Sequence, residues 1–491
     1  MQKPFERAVA LLHSFWYLES AKAFAAIAQA DPSCGMAYWG VALSQWTQIW
    51  SPPPPPPSSA GWRPWTRRRR PGPRRIASVT TSRLPTSSSR TPTSSTTARG
   101  PPPTPRPWSR LYQRYPQDRE AAIFYALALQ ATADPHDKTL RNQRRSGEIA
   151  EKVFAVEPNH PGAAHYIIHA YDYPAIAQEG LPAARRYAQF APSAPHALHM
   201  PSHIYVLLGM WPETVKSNLV AAEAEKDRGN PDDRMHALDY LVYAYLQQAQ
   251  DADAKRVVDE ARGIMADLAA KNYNSGRATA AFAMAAIEAR WTMERGRWAE
   301  AAVVEVRPNN FPHTEAVIYF AWGIGAARTG DVAQARAAAD KLAALRDALT
   351  QRKDTYWAEQ VEIERRAVAA WLARAEGKND DALALMRSAA ELEASTEKHN
   401  ISPGPIALAR ELHGDMLLDA RQPAKALVEY ETALKISPNR FKALQGAAKS
   451  AELAGDRDKA KTYYARLLTV AATSDGQRPE LGEARAFVSR Q

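Results

Sequence analysis

Apolar and polar residues follow one another along most of this chain with the three- and four-residue spacing of an amphipathic helix. Alanine, which has the highest intrinsic helix propensity, recurs throughout these stretches. The two-residue alternation that is typical of strands is scarce. The pattern therefore predicts an all-α protein, with helices running from Phe5 onward and interrupted only by residues 51–110.

Small and aromatic positions repeat most clearly near the C-terminus. One copy, with successive spacings of 4, 3 and 5 residues, comprises Ala426, Tyr430, Ala433 and Pro438. One period of 34 residues later, the small and aromatic positions return as Ala460 and Tyr464, and Gly455 stands at the turn before them. Small side chains let two antiparallel helices approach, an aromatic ring fills the remaining gap, and proline ends the pair. The repeating unit is therefore predicted to be a helical hairpin.

Earlier copies of this hairpin occur along the chain. Three of them place a glycine five residues before a small residue, at Gly296 and Ala301, Gly330 and Ala335, and Gly377 and Ala382. Two others contain Phe24, Pro32, Ala37, Ala183, Tyr187, Phe190 and Pro195. We predict eight to ten hairpins outside residues 51–110. The arrangement resembles the tetratricopeptide repeat (TPR), whose second helix carries Ala, an aromatic residue, Ala and Pro at these spacings. The segments 13–17 and 34–40 resemble those of uncharacterised bacterial TPR-containing proteins.

The resemblance implies an α-solenoid of stacked antiparallel hairpins, wound as a right-handed superhelix whose first helices line a concave groove. Members of the TPR superfamily use this groove to hold extended peptides or partner helices. The first functional hypothesis is therefore a non-enzymatic scaffold that binds a protein or peptide partner.

Six of the 12 histidines fall between residues 160 and 203, and two pairs, His165/His169 and His199/His203, each occupy one face of a helix. Prolines and repeat spacing predict first helices that start near residues 161, 198 and 235. By the resemblance, positions 2, 5 and 9 of each first helix line the groove. Those positions are Gly162, His165 and His169, then His199, Ser202 and Val206, then His236, Asp239 and Tyr243. The predicted binding site consists of the polar and aromatic members of this set together with His203, namely His165, His169, His199, Ser202, His203, His236, Asp239 and Tyr243.

This cluster is compatible with three kinds of chemistry. The imidazoles of His165, His169, His199, His203 and His236 would suit a divalent metal such as zinc or copper, which gives the alternative hypothesis of a metal-binding or metal-dependent hydrolytic protein. The pair His236 and Asp239 would suit acid/base catalysis. The simplest interpretation is that the histidines are hydrogen-bonded groove residues. No zinc-protease motif is present, because Tyr166 and Met200 occupy the positions of its glutamate, and no catalytic residue is assigned.

Residues 51–110 differ from the rest of the chain in composition. They contain 16 of the 36 prolines and 12 arginines, without lysine or acidic residues, among tracts of serine and threonine. Such a segment is predicted to be disordered, because it cannot bury a core. It would suit a basic tether for nucleic acid or an acidic membrane, or a proline-rich ligand. We favour a frameshift, since arginine with Pro, Ser and Thr is typical of a GC-rich gene read out of frame.

Charge and cysteine content restrict the possible partners and exclude some covalent cross-links. Taking the 12 arginines of residues 51–110 from the total of 63 basic residues leaves 51 against 53 acidic ones, so we expect the helical body not to bind nucleic acid. Cys34 is the only cysteine, which excludes an intramolecular disulfide. The sequence contains no membrane-spanning run and no export leader, and we expect a cytoplasmic location. The predicted regions are 1–50, 51–110, 111–310, 311–475 and a frayed tail at 476–491.

Overall fold

The computed structural model describes residues 2–45, 106–228, 230–273, 278–307, 309–399, 401–476 and 478–490. They pack into two compact units. The first comprises Met1–Ala170 with Gln189–His196, and the second comprises Tyr171–Ala188 with Ala197–Gln491. Every regular element in these ranges is a helix, which confirms the all-α prediction. No helix in the same ranges combines the length and apolar character needed to cross a membrane.

The helices up to residue 170 pack mainly with their neighbours along the chain. They are α1 Gln2–His13, α2 Tyr17–Ala30, α3 Gly35–Ser44, α4 Arg106–Arg114, α5 Arg119–Gln130, α6 Arg141–Val156 and α7 Pro161–Ala170. The Asp118 carboxylate accepts a hydrogen bond from the Ala121 amide and so caps α5. Phe24 and Phe124 belong to one buried apolar core of this unit.

The helices after residue 170 also pair as hairpins. They are α8 Ala177–Phe190, α9 Pro195–His199, α10 Pro201–Leu207, α11 Trp211–Arg228, α12 Pro231–Gln247, α13 Asp251–Ala270, α14 Thr279–Met293, α15 Trp298–Ala301, α16 Pro312–Thr329, α17 Val332–Gln351, α18 Thr355–Ala375, α19 Asn379–Ser395, α20 Ala409–Asp419, α21 Pro423–Ile436, α22 Phe441–Leu453, α23 Arg457–Val470 and α24 Pro479–Ser489. Within the second unit, α16 packs on both α17 and α18, and α12 packs on both α11 and α14. First helices of successive hairpins therefore lie side by side.

The predicted glycine turns are confirmed. Gly330 ends α16 in the left-handed conformation at a φ of +88°, where a side chain would be strained, and its amide hydrogen-bonds to a carbonyl of the preceding turn. Ala335, five residues later, is fully buried. Gly455 and Ala460 repeat this arrangement between α22 and α23. Each turn thus reverses the chain, and the alanine lets the second helix pack closely on the first.

Tyr430 shows how an aromatic ring fills the space between helices. Its ring lies between Gly414 of α20 and Gly446 of α22, and a Cβ atom at either glycine would lie less than 3.0 Å from ring carbons. Phe24 and Gly40 repeat the same contact between α2 and α3 in the first unit. The predicted packing of small residues around an aromatic ring is therefore confirmed.

Several predicted boundaries were wrong. Helix α4 begins at Arg106, whereas helix was expected to resume only at Leu111, because Pro107 is tolerated in a first helical turn. For the same reason α9 and α12 begin at Pro195 and Pro231 rather than near residues 198 and 235. The predicted division at residues 310/311 stays a prediction. Disorder was predicted for residues 51–110, and residues 51–105 of that segment lie outside the described residues.

The tail after Asp475 was expected to fray, but it contains α24. Leu481 and Ala484 are fully buried in this helix, and the Phe487 ring contacts the Tyr464 ring at a centroid distance of 5.0 Å. The polar composition of the segment hid a short apolar face that closes the last hairpin.

Candidate metal centre

Three histidines converge in the second unit. His199 comes from the end of α9, His203 from α10 and His236 from the first turns of α12. Each offers one ring nitrogen, and the three nitrogens all lie within 4.8 Å of one another. His199 and His203 are buried, whereas His236 is partly exposed. We call these three residues the His199 centre.

Hydrogen bonds orient two of the rings. His199 Nδ1 lies 2.6 Å from Oδ1 of Asn218 on α11, and the Asn218 amide nitrogen donates to the Thr214 carbonyl, which fixes Oδ1 as the acceptor. His203 Nδ1 lies 2.8 Å from Oδ2 of Asp172. Both partners are acceptors, so both Nδ1 atoms carry protons. This is the arrangement by which second partners of metal-binding histidines select the tautomer.

The Nε2 atoms of His199 and His203 lie close to each other. His199 Nε2 and His203 Nε2 lie 3.0 Å apart. When both rings are neutral and carry their proton on Nδ1, two nitrogen lone pairs point toward one another. This arrangement is repulsive unless a cation or a proton lies between them. Two imidazole nitrogens bound to one tetrahedral zinc ion at about 2.0–2.1 Å would be roughly 3.3 Å apart, which is close to the observed separation.

The surroundings of the His199 centre hold this geometry. Asp172 is fully buried, and Lys398 Nζ lies within 2.9 Å of each of its carboxylate oxygens. The Tyr240 hydroxyl lies 3.4 Å from both ring nitrogens of His203. Asp172, which is itself paired with Lys398, and Tyr240 thus both contact the His203 ring in a buried environment.

The first unit contains a second histidine cluster, formed by His165, His169 and His196, whose ligand nitrogens also lie within 4.8 Å of one another. His165 Nδ1 lies 2.6 Å from the His13 carbonyl oxygen, and the Phe15 ring contacts all three imidazoles. Burial, and then the charges of the neighbouring histidines, lower the pKa of His165 well below its usual value. His165 is therefore a neutral imidazole.

A third group, which the sequence analysis missed, consists of His13, Glu120 and His160. Glu120 Oε2 lies 2.7 Å from His13 Nε2, and Glu120 Oε1 lies 3.4 Å from His160 Nε2. Burial raises the pKa of Glu120, but its interactions with His13 and His160 outweigh burial and hold that pKa well below the usual value. The other ring nitrogens contact the Tyr166 hydroxyl and the Ala163 amide. The group is a polar network that links α1, α5 and the residue preceding α7.

The other predicted groove residues have structural partners. Ser202 Oγ donates to the His199 carbonyl at 2.7 Å. The Asp239 carboxylate accepts from Arg290 Nε at 3.1 Å, and burial raises the pKa of Asp239 to about 6. The Tyr243 hydroxyl accepts from Arg440 at 2.6 Å. All three side chains are buried, and Asp239 pairs with arginine rather than with His236.

The structure thus places the predicted residues in different environments. His199, His203 and His236 come together, whereas His165 and His169 belong to the first unit. Asn218, Asp172 and Lys398 were missed, since they lie 19, 31 and 226 residues from the partners they contact. Contacts between residues this far apart in the sequence cannot be inferred from the spacing of side chains along a helix.

Several solved structures are similar to this chain. No family model matches the chain, and no curated protein matches it. A tetratricopeptide repeat protein from Parabacteroides merdae is similar to it at 13% identity, covering 61% of this chain and 99% of its own, with a TM-score of 0.32. Yeast Tom70 is similar at 13% identity, with coverage of 78% and 94% and a TM-score of 0.30.

A third similar structure is a signal-transduction ATPase with a tetratricopeptide repeat sensor from Pyrococcus horikoshii. The identity is 14%, the coverage is 75% of this chain and 55% of that one, and the TM-score is 0.33. All three similarities are at low sequence identity.

Proposed function

We propose that this chain is a non-enzymatic helical-repeat scaffold whose second unit holds one divalent metal ion, zinc or copper, at the His199 centre. The 3.0 Å separation of two Nε2 atoms, each on a ring whose Nδ1 faces an acceptor, carries this proposal. A metal ion between the rings removes the repulsion of their lone pairs.

The donor set suits this choice of metal. Neutral imidazole is a preferred ligand of zinc and copper, and three histidines leave one further position on a tetrahedral ion. His236 is the partly exposed member of the His199 centre and provides the third nitrogen. The buried ion pair between Asp172 and Lys398 supports the His203 ring from behind.

The alternative occupant is a proton, which would make His199 and His203 an imidazole–imidazolium pair beside Asp172. A hydrolytic centre is less well supported, since hydrolysis needs a base beside the metal-bound water. Both carboxylate oxygens of Asp172 already contact Lys398, and Oδ2 also contacts His203. We therefore favour a binding role over a hydrolytic one.

The scaffold part of the proposal assigns a protein or peptide as the partner, because stacked helical hairpins provide extended binding surfaces in repeat proteins generally. His199, His203, Asp239 and Tyr243 are buried, so we do not assign them to the surface that contacts the partner. These side chains stabilise the second unit or hold the metal, and other faces of the helices contact the partner.

Metal analysis of the purified chain tests the proposal. After equilibration with zinc and removal of free metal, we expect the wild type to retain at least one equivalent more than a His203→Gln/His236→Gln variant. His136→Gln is the control, because His136 is exposed and outside the His199 centre. Equal metal content in the wild type and a folded double variant would contradict the proposal. A His165→Gln/His169→Gln variant measures metal held by the first unit.

A further inference from the structure

A cavity of about 80 Å³ lies in the second unit, and its lining residues do not include the three histidines of the His199 centre. Residues from α14, α16, α18 and α19 and from the loop before α20 surround it. Its lining includes Phe282, His313, Trp357, Glu364, Glu393 and His399. A water molecule needs a cavity volume of roughly 10–15 Å³, so this cavity has room for about five groups of that size.

Glu364 is the first unusual feature of the cavity. It follows Trp357 by seven residues on α18, so both side chains occupy one face of that helix. Its Oε2 atom is buried, and within the described residues the Glu364 carboxyl has neither a hydrogen bond nor an ion pair. Burial raises the pKa of Glu364 to about 8. An unpaired carboxyl in such an environment is costly, which makes it a candidate for binding a ligand.

His313 at the start of α16 is the second unusual feature. Only 8% of its surface is exposed, and its ring stacks on Trp357 at a centroid distance of 4.2 Å. Its Nε2 atom is buried without a hydrogen-bond partner among the described residues. Burial lowers the pKa of His313 to about 3, so the ring is neutral and one of its nitrogens can accept a hydrogen bond. Two unsatisfied polar groups therefore line one aromatic cavity.

The other titratable groups at the cavity already have roles. Both Glu393 carboxylate oxygens accept from the Ala409 amide at the start of α20. Lys398 is paired with Asp172, and His399 Nδ1 accepts from the Ile401 amide. Burial, followed by the charge of Lys398, lowers the pKa of His399 to about 4, so this ring is neutral as well. Glu364 is consequently the carboxyl that remains available to a ligand.

We propose that this cavity binds a compact organic cation, an alkylammonium or guanidinium group, with Glu364 as its carboxylate partner and His313 Nε2 as a hydrogen-bond acceptor. Phe282 and Trp357 supply an aromatic lining, which favours cations and also contacts their alkyl carbons. The inference goes beyond the metal site and does not depend on it. The cation is either a free amine or the basic side chain of a bound peptide.

Calorimetric titration of the full chain tests this inference. We expect n-butylammonium and ethylguanidinium to bind, and the Glu364→Gln variant to bind them at least tenfold more weakly. Pentan-1-ol, a neutral molecule of similar size, is expected to bind more weakly than either cation and to be insensitive to this substitution. Glu391→Gln is the control, because Glu391 is exposed on α19 outside the cavity.

Two peptides distinguish the sources of the cation. If the ligand is a free amine, n-butylammonium should bind at least as tightly as Gly-Gly-Lys-Gly-Gly. If the ligand is a peptide, the peptide should bind more tightly than n-butylammonium, and acetylation of its lysine should abolish binding. The absence of cation binding, or equal binding by wild type and a folded Glu364→Gln variant, would overturn the inference. Unchanged zinc content in Glu364→Gln keeps this result separate from the metal proposal.

Discussion

The Arg440 guanidinium lies fully buried in the second unit, where charge is tolerated only because every side of the group is paired. Its Nε and Nη2 atoms donate to the two Glu411 oxygens at 2.7 Å, and Nη2 also donates to Glu294. Nη1 donates to the Tyr243 hydroxyl. From its position just before α22, this single side chain joins residues of α12 and α20 and the residue that follows α14.

Arg440→Met should therefore destabilise the second unit by about 3–5 kcal/mol, since it leaves two buried carboxylates without their partner. Urea unfolding followed by circular dichroism measures this change. Arg387→Met is the matched control, because Arg387 is exposed on α19, and it should cost less than about 0.5 kcal/mol. A loss below 1 kcal/mol for Arg440→Met would show that the network adds little stability.

Glu364 should make stability fall as pH rises. Its pKa in the folded protein, about 8, is above the ordinary value of 4.5, so folding favours the protonated carboxyl. The stability that this form contributes is fully present below pH 4.5 and is lost as pH rises through 8. Thermal unfolding of Glu364→Gln should match wild type near pH 4.5 and exceed it by at least about 3 °C at pH 9. A difference that does not change with pH would contradict the raised pKa.

Gly446 illustrates what the helical pairing demands. Its position on α22 faces the Tyr430 ring of α21, where an added Cβ would overlap the ring carbons. Alanine would otherwise favour a helix interior by about 1 kcal/mol. Close packing and helix propensity therefore oppose each other at this position, and the packing contact is the larger effect.

We expect Gly446→Ala to destabilise the protein by about 1–3 kcal/mol, because the Tyr430 ring must move or the helices must separate. Gly263→Ala is the matched change in α13, where the added Cβ would meet no described atom within 4 Å, and it should stabilise by up to about 1 kcal/mol. Denaturant unfolding of both variants measures the contrast. Similar effects of the two substitutions would mean that Tyr430 does not limit the approach of these helices.

The hairpins could be predicted because their determinants lie close together in the sequence. The determinants of each hairpin lie one or two helical turns apart, as in Gly330 and Ala335 or Ala426 and Tyr430. Each of these residues is needed for a local turn or a local packing contact. Helix starts were predicted less well, since proline both ends one helix and begins another. The buried face of α24 was missed because only a few apolar residues carry it.

The candidate site could be predicted only in part. The four-residue spacing of His199 and His203 placed both on one side of the chain, and repeat spacing brought His236 near them. Asp172 and Lys398 meet across 226 residues, and the pairing of Asp239 with Arg290 spans 51 residues. Such contacts depend on how hairpins stack, which spacing alone does not determine.

Metal binding should also appear as a change in the stability of the whole chain. A ligand that binds only the folded state at a free concentration 100 times its Kd adds about 2.7 kcal/mol. Zinc should therefore raise the thermal unfolding temperature of the wild type, and His203→Gln/His236→Gln should abolish the part of this increase that arises from the His199 centre. An equal increase in both proteins would place the bound zinc elsewhere.

X-ray absorption at the zinc edge of the one-to-one complex, formed with a His165→Gln/His169→Gln variant, tests the central claim most directly. We predict three imidazole nitrogens at about 2.0–2.1 Å from zinc, with the scattering pattern of histidine rings, and the loss of this signal in a variant that also carries His203→Gln and His236→Gln. A shell of oxygen atoms without histidine scattering, or failure of zinc to bind, would contradict the account.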